Sequence, residues 1–485
     1  MRETITKSDW LAAEQCLAMA WFGLRTASTA PNEADRFRME QGQEIGGLAR
    51  ELYPDGILVS KRDGKTPAEF TQDLVADAAI NTLFEATVSS GSLVARADIL
   101  RREGGAWHVL EVKSCFPGAN NISELIDDLA FTVMVLRRAG VQTVRASLVL
   151  LSQHYRFGDG PDRLFEIIDK TEEVSARVAE FEGTAHAIID ALFEGAPPTA
   201  RLVSACRSCA YFEGECLGSG LAHTVLELPG LHHTKLKRLS VDGIIELSAV
   251  PDDLNLNKRQ ERVRYAALSG NMVVEPGLGP ALQNIDWPCH YLDFETVATV
   301  LPLYNGHGCH RQVLTQFSIH HRDGIDANTR HSEYLADATK DCERQLAECL
   351  IEALGDRGSI IVYSTFEETR IKALRDAFSD LEKPLQAILR RLKNLLPVIE
   401  DHVYHPDFRG SFSIKKVLPV LVPELSYVGL DVGDGDTAIT RFAHMARGEI
   451  SGAAVNVTRQ QLLDYCKMDT LAMVRLHETL CQLSR

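Results

Sequence analysis

The sequence holds no apolar run approaching the roughly 18 residues that a membrane-crossing helix needs. Its opening stretch, MRETITKSDWLAAEQC, has no apolar signal region. Both absences lead to the expectation of a cytoplasmic protein with no membrane partner. Internal repeats and low-complexity tracts are also missing, which sets aside solenoids and fibrous arrays. Positive charge is scarce: 51 Lys and Arg against 67 Asp and Glu leave a net charge of −16. That excludes a generally basic protein that coats DNA. A local basic patch can still bind nucleic acid.

What is present is ordinary for a globular protein: 45% hydrophobic and 24% charged residues. The 485 residues leave room for about three domains, each with its own core. In a reducing compartment the 11 cysteines are expected as thiols or metal ligands rather than disulfides. Spacing then has to pick out the ligands.

The first chemical pattern lies on two expected strands, Leu93–Leu100 and Trp107–Val112, joined by the glycine-bearing turn RREGGA. Asp98 lies on the first strand. Glu111 and Lys113 are two residues apart on the second and share a face. The 13-residue interval from Asp98 to Glu111 is one a hairpin can bridge. Two carboxylates that hold Mg²⁺ or Mn²⁺, with a lysine to orient water and offset phosphate charge, are what a metal-dependent phosphodiesterase needs. The alternative is a solvated strand end.

Asp98 followed by Glu-x-Lys on consecutive strands resembles the PD-(D/E)XK nuclease superfamily, specifically its RecB-like clade. The resemblance implies a further polar residue from an upstream helix. RMEQGQEIGGLAR occupies that place, with Glu44 as the candidate and Glu40 behind it. The clade often carries a Gln in the helix after the lysine, near Ile122–Arg138. Thr132 stands there in this chain.

Cys206, Cys209 and Cys216 read as C-x2-C-x6-C just past an expected helix at about 172–193, and Cys16 stands alone near the start. Three clustered thiolates and a distant fourth make a complete four-thiolate site. The layout resembles the iron–sulfur RecB-like nucleases, shared by CRISPR-adaptation exonucleases and AddB-type helicase-nuclease subunits. That resemblance implies a [4Fe–4S] cluster that clips the two ends of the nuclease domain together. Zn²⁺ at the same cysteines is the alternative.

Residues 221–286 read as a helical connector. LELPGLHHTKLKRLSVDGIIEL resembles a helix–hairpin–helix, with His232 where a second hairpin glycine usually stands. If it binds nucleic acid, Lys235, Lys237 and Arg238 would meet phosphates, joined by Lys258, Arg259 and Arg262. A plain helical connector is the alternative.

The last third opens on YLDFET, where Asp293 and Glu295 sit two apart in an otherwise apolar strand. Near the C-terminal end, YCKMD puts Tyr465 and Asp469 on one helix face. D-x-E on a first strand and Y-x3-D on a late helix resemble the DEDD exonucleases of the RNase H-like fold, tyrosine subtype. In that family four carboxylates hold two divalent metals, and the tyrosine acts on the water. The fourth acid is expected after the strand SIIVYSTF, as Glu367, with Glu368 and Asp401 as rivals. Ser413 reads as an N-cap, and Arg409, Lys415 and Lys416 would either meet a phosphate or form a solvated helix face. The last third also resembles an uncharacterised bacterial domain family found fused behind RecB-like nuclease domains.

The expectation is therefore an α/β protein. Residues 1–220 would form a PD-(D/E)XK domain with the iron–sulfur cluster, 221–286 a connector, and 287–485 an RNase H-like DEDD domain. Both nuclease domains would hydrolyse phosphodiesters, with single-stranded DNA as first substrate and RNA as second. The alternative from another class is a nucleic-acid-binding protein in which one fold is inactive.

Overall fold

The computed structural model describes residues 2–27, 30–61 and 64–485. The chain is mixed α/β with several sheets and divides into two compact units. One is Met1–Gly220 with Val300–His310, and the other is Leu221–Thr299 with Arg311–Arg485.

The first unit is built on a six-stranded sheet whose spatial order follows the chain. Its strands are β1 (Ile57–Leu58), β2 (Thr82–Ser90), β3 (Leu93–Glu103), β4 (Ala106–Val112), β5 (Thr143–Leu151) and β6 (Phe165–Asp169). β2, β3 and β4 form an antiparallel meander, β5 is parallel to β4, and β6 is antiparallel to β5. The β3–β4 turn is tighter than RREGGA implied. Both strands extend until only Gly104 and Gly105 remain between them, at φ of 56° and 91°. Two successive positive φ values define the primed turn that matches strand twist, and glycine adopts them without strain.

Helices α1 (Lys7–Gln15), α2 (Leu17–Arg25), α3 (Glu33–Arg50), α4 (Ile122–Arg138) and α5 (Thr171–Phe193) surround this sheet. α4 is the crossover that a parallel β4–β5 pair requires. Leu129, Phe131, Val133 and Met134 of α4 are fully buried with Trp10 of α1 and Phe181 of α5. Ala49 of α3 covers a separate apolar cluster of Phe84, Ile99, Leu110 and Val149. The segment Val300–His310, expected within the last domain, belongs to this unit. The Val300 amide donates to Gln41 Oε1 at 2.7 Å, and Cys309 packs with Ile45, Leu151 and Leu164.

The second unit holds a five-stranded sheet, with β7 (Cys289–Val297), β8 (Val313–Arg322), β9 (Arg330–Leu335), β10 (Ser359–Val362) and β11 (Leu392–Asn394) in the order β9-β8-β7-β10-β11. β8 runs antiparallel to both β7 and β9, and β10 runs parallel to β7 and β11. β7 is thus central, which explains its apolar run. Residues 221–286 fold with this unit. Arg262 donates to the Glu400 carbonyl at 2.7 Å, and Arg259 pairs with Asp401 at 2.7 Å. They carry two basic helices, α6 (His233–Val241) and a second over Lys258–Ser269. Further helices are α7 (Glu343–Leu354), α8 (Phe366–Ala377), α9 (Ile414–Leu421) and α10 (Ala453–Leu483). α10 is pinned over the sheet by Gln316, whose amide donates to the Leu462 carbonyl at 3.0 Å, and by Ser318 against Thr470 at 2.8 Å. Among the described residues no helix is long and apolar enough to cross a membrane.

Candidate functional site

In the first unit the β3–β4 ladder pairs Ile99 with Leu110 and then stops. The next positions are Asp98 and Glu111. The Val112 amide, which a continued ladder would give to a backbone carbonyl, donates instead to Asp98 Oδ2 at 2.8 Å. The strands part where the two acids face each other. Opposite Asp98 on β2, Glu85 holds φ at 56°, a left-handed conformation that costs a non-glycine residue about 1 kcal/mol or more. Such strain concentrates at functional sites.

Glu111 is buried, yet Oε1 is held by two ammonium groups: Lys7, in a short contact, and Lys113 at 3.2 Å. Lys113 also pairs closely with Asp128 of α4, and Lys7 lies 3.7 Å from the same carboxylate. Burial alone would push Glu111 up, but the two lysines outweigh it and hold it below its ordinary value. Asp98 responds the opposite way: burial and the neighbouring Glu111 raise it to about 7. The pair therefore shares its protons unequally, with Asp98 the partner that keeps its proton to higher pH. Glu111 Oε2 is buried and has no hydrogen-bond partner. An orphaned carboxylate oxygen beside a second acid is a donor set short of a cation.

Glu44 lies on the exposed side of α3, and Thr132 is fully buried with its hydroxyl on the Asp128 carbonyl at 3.2 Å. The polar residue that α4 turns toward Lys113 is Asp128. Sequence reasoning missed it and Lys7.

Cys16, Cys206, Cys209 and Cys216 line one small cavity with Met19 and Phe22. Cys16 sits at the extended break between α1 and α2, at φ −161° and ψ 112°. All four are free thiols. Burial first, and then the other cysteines, push Cys206 and Cys216 up. Thiols that repel one another's ionisation in one cavity fit a shared cationic group, which would relieve that cost.

In the second unit β7 pairs with β10 only as far as Tyr291. Asp293 and Glu295 project beyond that point, beside the start of α8. A register shift follows Glu295. One ligand oxygen from each of Asp293, Glu295 and Asp469 lies within 4.8 Å of the others. Glu367, in the first turn of α8, joins them: its charge helps to raise Asp293, and Ser364 Oγ donates to it at 3.4 Å. Its rivals go elsewhere: Glu368 pairs with Lys372, and Asp401 with Arg259.

Asp293 and Glu295 keep partial exposure, whereas Glu367 and Asp469 are buried. Burial, reinforced by the other acids, lifts Asp293 and Glu295 well above the usual carboxylate range. Burial likewise lifts Glu367 to about 7 and Asp469 to about 6. Four acids in such a space cannot all ionise without a counter-cation. Their chemistry fits divalent metal.

Lys415 Nζ donates to Tyr465 Oη at 3.2 Å, and Tyr427 donates to Asp469 Oδ1 at 2.6 Å. Lys415 lies over both rings, 5.3 Å from that of Tyr465 and 5.7 Å from that of Tyr427. Tyr427 stands in an irregular segment with no periodicity to mark it. Burial raises both phenols.

The other basic candidates are mostly engaged. Lys235 donates to the Asn255 carbonyl at 2.6 Å, Arg238 pairs with Asp253 at 2.7 Å, and Arg409 binds the Ala222 carbonyl and Glu227. Lys237 and Lys416 are exposed.

Residues 290–413 match the family model described as "Domain of unknown function (DUF2779)". The match takes in Asp293, Glu295 and Glu367 but ends before Asp469. No curated protein matches the chain.

Proposed function

We propose that the chain is a metal-dependent nuclease with two phosphodiester-hydrolysing sites, one in each unit. The observation that carries this reading is the gathering of Asp293, Glu295, Glu367 and Asp469 from three separate elements into one crowded acidic site. Such a gathering is electrostatically costly without cations, and two-metal hydrolysis of nucleic acids is a chemistry that requires it. The central β7, flanked by antiparallel β8 and parallel β10, supports an RNase H-like fold of the DEDD type. The β2–β3–β4 meander followed by the α4 crossover supports a PD-(D/E)XK fold for the first unit.

Mg²⁺ or Mn²⁺, when bound, would lower the pKa of a water and neutralise phosphate charge. In the first site Asp98 and Glu111 would hold it, and Lys113 would orient the attacking water or bind the phosphate. In the second, the four acids would hold metal. Tyr465, with Lys415 against its oxygen, would position the water. Cys16, Cys206, Cys209 and Cys216 would carry a [4Fe–4S] cluster, tying the start of the first unit to its end and removing freedom from the unfolded chain. Single-stranded DNA is the substrate we favour, with RNA second, in a cytoplasmic setting. Degradation of end-labelled oligonucleotides in Mn²⁺ by the wild type and by Asp98→Ala and Asp469→Ala variants tests the reading. A wild type that degrades neither DNA nor RNA contradicts it.

A further inference from the structure

Lys7 is the first residue of α1, the end of a helix where backbone N–H groups concentrate positive charge and disfavour a cation. Its backbone is nonetheless fixed there. Thr6 and Asp9 close a capping box, Arg2 braces Asp9 at 2.7 Å, and Ile5 exchanges backbone hydrogen bonds with Ser92 and Val94 at the start of β3. The fixed backbone carries the ammonium to a residue 104 positions away, Glu111. A lysine held against its helix dipole and aimed at a buried carboxylate calls for an explanation beyond helix stability.

Glu111 Oε1 has two ammonium partners and Oε2 has none. Oε2 is thus open to a metal ion, but a divalent cation there meets the repulsion of both ammonium groups held on Oε1. Lys113 has its own acid in Asp128, so it is held whether or not Glu111 is taken. Lys7 has an alternative partner in the same carboxylate, 3.7 Å away. We propose that Lys7 is a built-in counter-cation of the first site, holding Glu111 while no metal ion is bound and shifting onto Asp128 when one enters. This rests on the reading of Asp98 and Glu111 as metal ligands. Lys7 is then a positioning residue: it acts through Glu111 and sets the metal concentration at which the site loads. With metal bound, two lysines and a divalent ion face three carboxylates, an excess of one positive charge. That excess matches one phosphodiester group, so nucleic acid is attracted to the loaded site.

The test titrates the full-length protein with Mn²⁺ alone at pH 8.5, following free Mn²⁺ by electron paramagnetic resonance. An Asp293→Ala/Asp469→Ala background silences the second site. Lys7→Met is expected to bind Mn²⁺ about tenfold more tightly than its parent, because nothing competes for Glu111. Lys7→Arg is expected to stay near the parent, and Asp128→Asn to bind more weakly, since it leaves both ammonium groups on Glu111. A structural role alone would not tighten binding. Circular dichroism checks that each variant is folded. If Lys7→Met is not, the proposal is judged on Asp128→Asn and Lys7→Arg. Unchanged or weaker binding in folded Lys7→Met overturns the proposal, as does unweakened binding in Asp128→Asn or an absence of Mn²⁺ binding in the parent. Because no nucleic acid is present, a protein that binds Mn²⁺ as described but cuts nothing would overturn the nuclease reading and leave this one standing.

Discussion

The hydroxyl of Tyr427 donates a 2.6 Å hydrogen bond to Oδ1 of Asp469, 42 residues further along the chain. A bond to the ionised carboxylate favours the charged form. Tyr427→Phe removes it, so Asp469 moves further above its ordinary range. Metal must then displace a proton more often near neutrality. We expect Mn²⁺ affinity at the second site to fall about fivefold at pH 6.5, equivalent to about 1 kcal/mol, and to recover at pH 8.5. Calorimetric titration in an Asp98→Ala/Glu111→Ala background measures it.

The metal-free protein should lose stability as pH rises. Asp98 and Glu367 are raised to about 7, and Asp469 to about 6, all above the roughly 4 of an unfolded carboxyl. In that window the folded state binds protons that the unfolded state has released. The stabilisation is complete below pH 4 and disappears as pH climbs through 6 and 7. Melting curves in chelator should shift downward between pH 5.5 and 8. Added Mn²⁺ should reverse the shift at pH 8 far more than at pH 5.5.

Relieving the crowding should stabilise the second unit while abolishing its chemistry. Asp469→Asn keeps an oxygen for Tyr427 and removes one charge from the set. Without metal at pH 8 its melting temperature should rise by about 2–4 °C, the scale of 1 kcal/mol in a unit of this size. Scanning calorimetry with a matched activity assay measures both effects.

The cysteine cavity makes a spectroscopic prediction. Protein purified anaerobically should absorb visible light and carry about four iron atoms. Cys209→Ala should lose most of that iron and melt at a lower temperature, because the cluster closes a long loop. Colourless protein carrying stoichiometric zinc would replace the cluster with the tetrahedral alternative.

Much of the site layout could be read in the sequence because it depends on strand alternation. Asp98, Glu111 and Lys113 are brought together by one hairpin. Asp293 and Glu295 share a face by period alone, and Tyr465 and Asp469 share one by helical spacing. Lys7, Asp128 and Tyr427 were not legible, for different reasons. Lys7 reaches Glu111 through α1 docking against the sheet, a tertiary event with no local signal. Asp128 sits one helical turn from Thr132, so locating the helix did not decide which residue faces Lys113. Tyr427 lies in irregular chain. The insertion of Val300–His310 into the first unit was equally hidden, since PLYNGHG reads as loop wherever it packs.

Degradation of end-labelled single-stranded DNA, duplex DNA and RNA in Mn²⁺ tests the central claim most directly. The panel compares wild type, Asp98→Ala, Asp469→Ala and the double variant. Two sites predict that each single variant keeps part of the activity and that the double variant loses it by a factor of about 100 or more. A double variant as active as the wild type would contradict the account. Full activity in one single variant would remove that unit from catalysis.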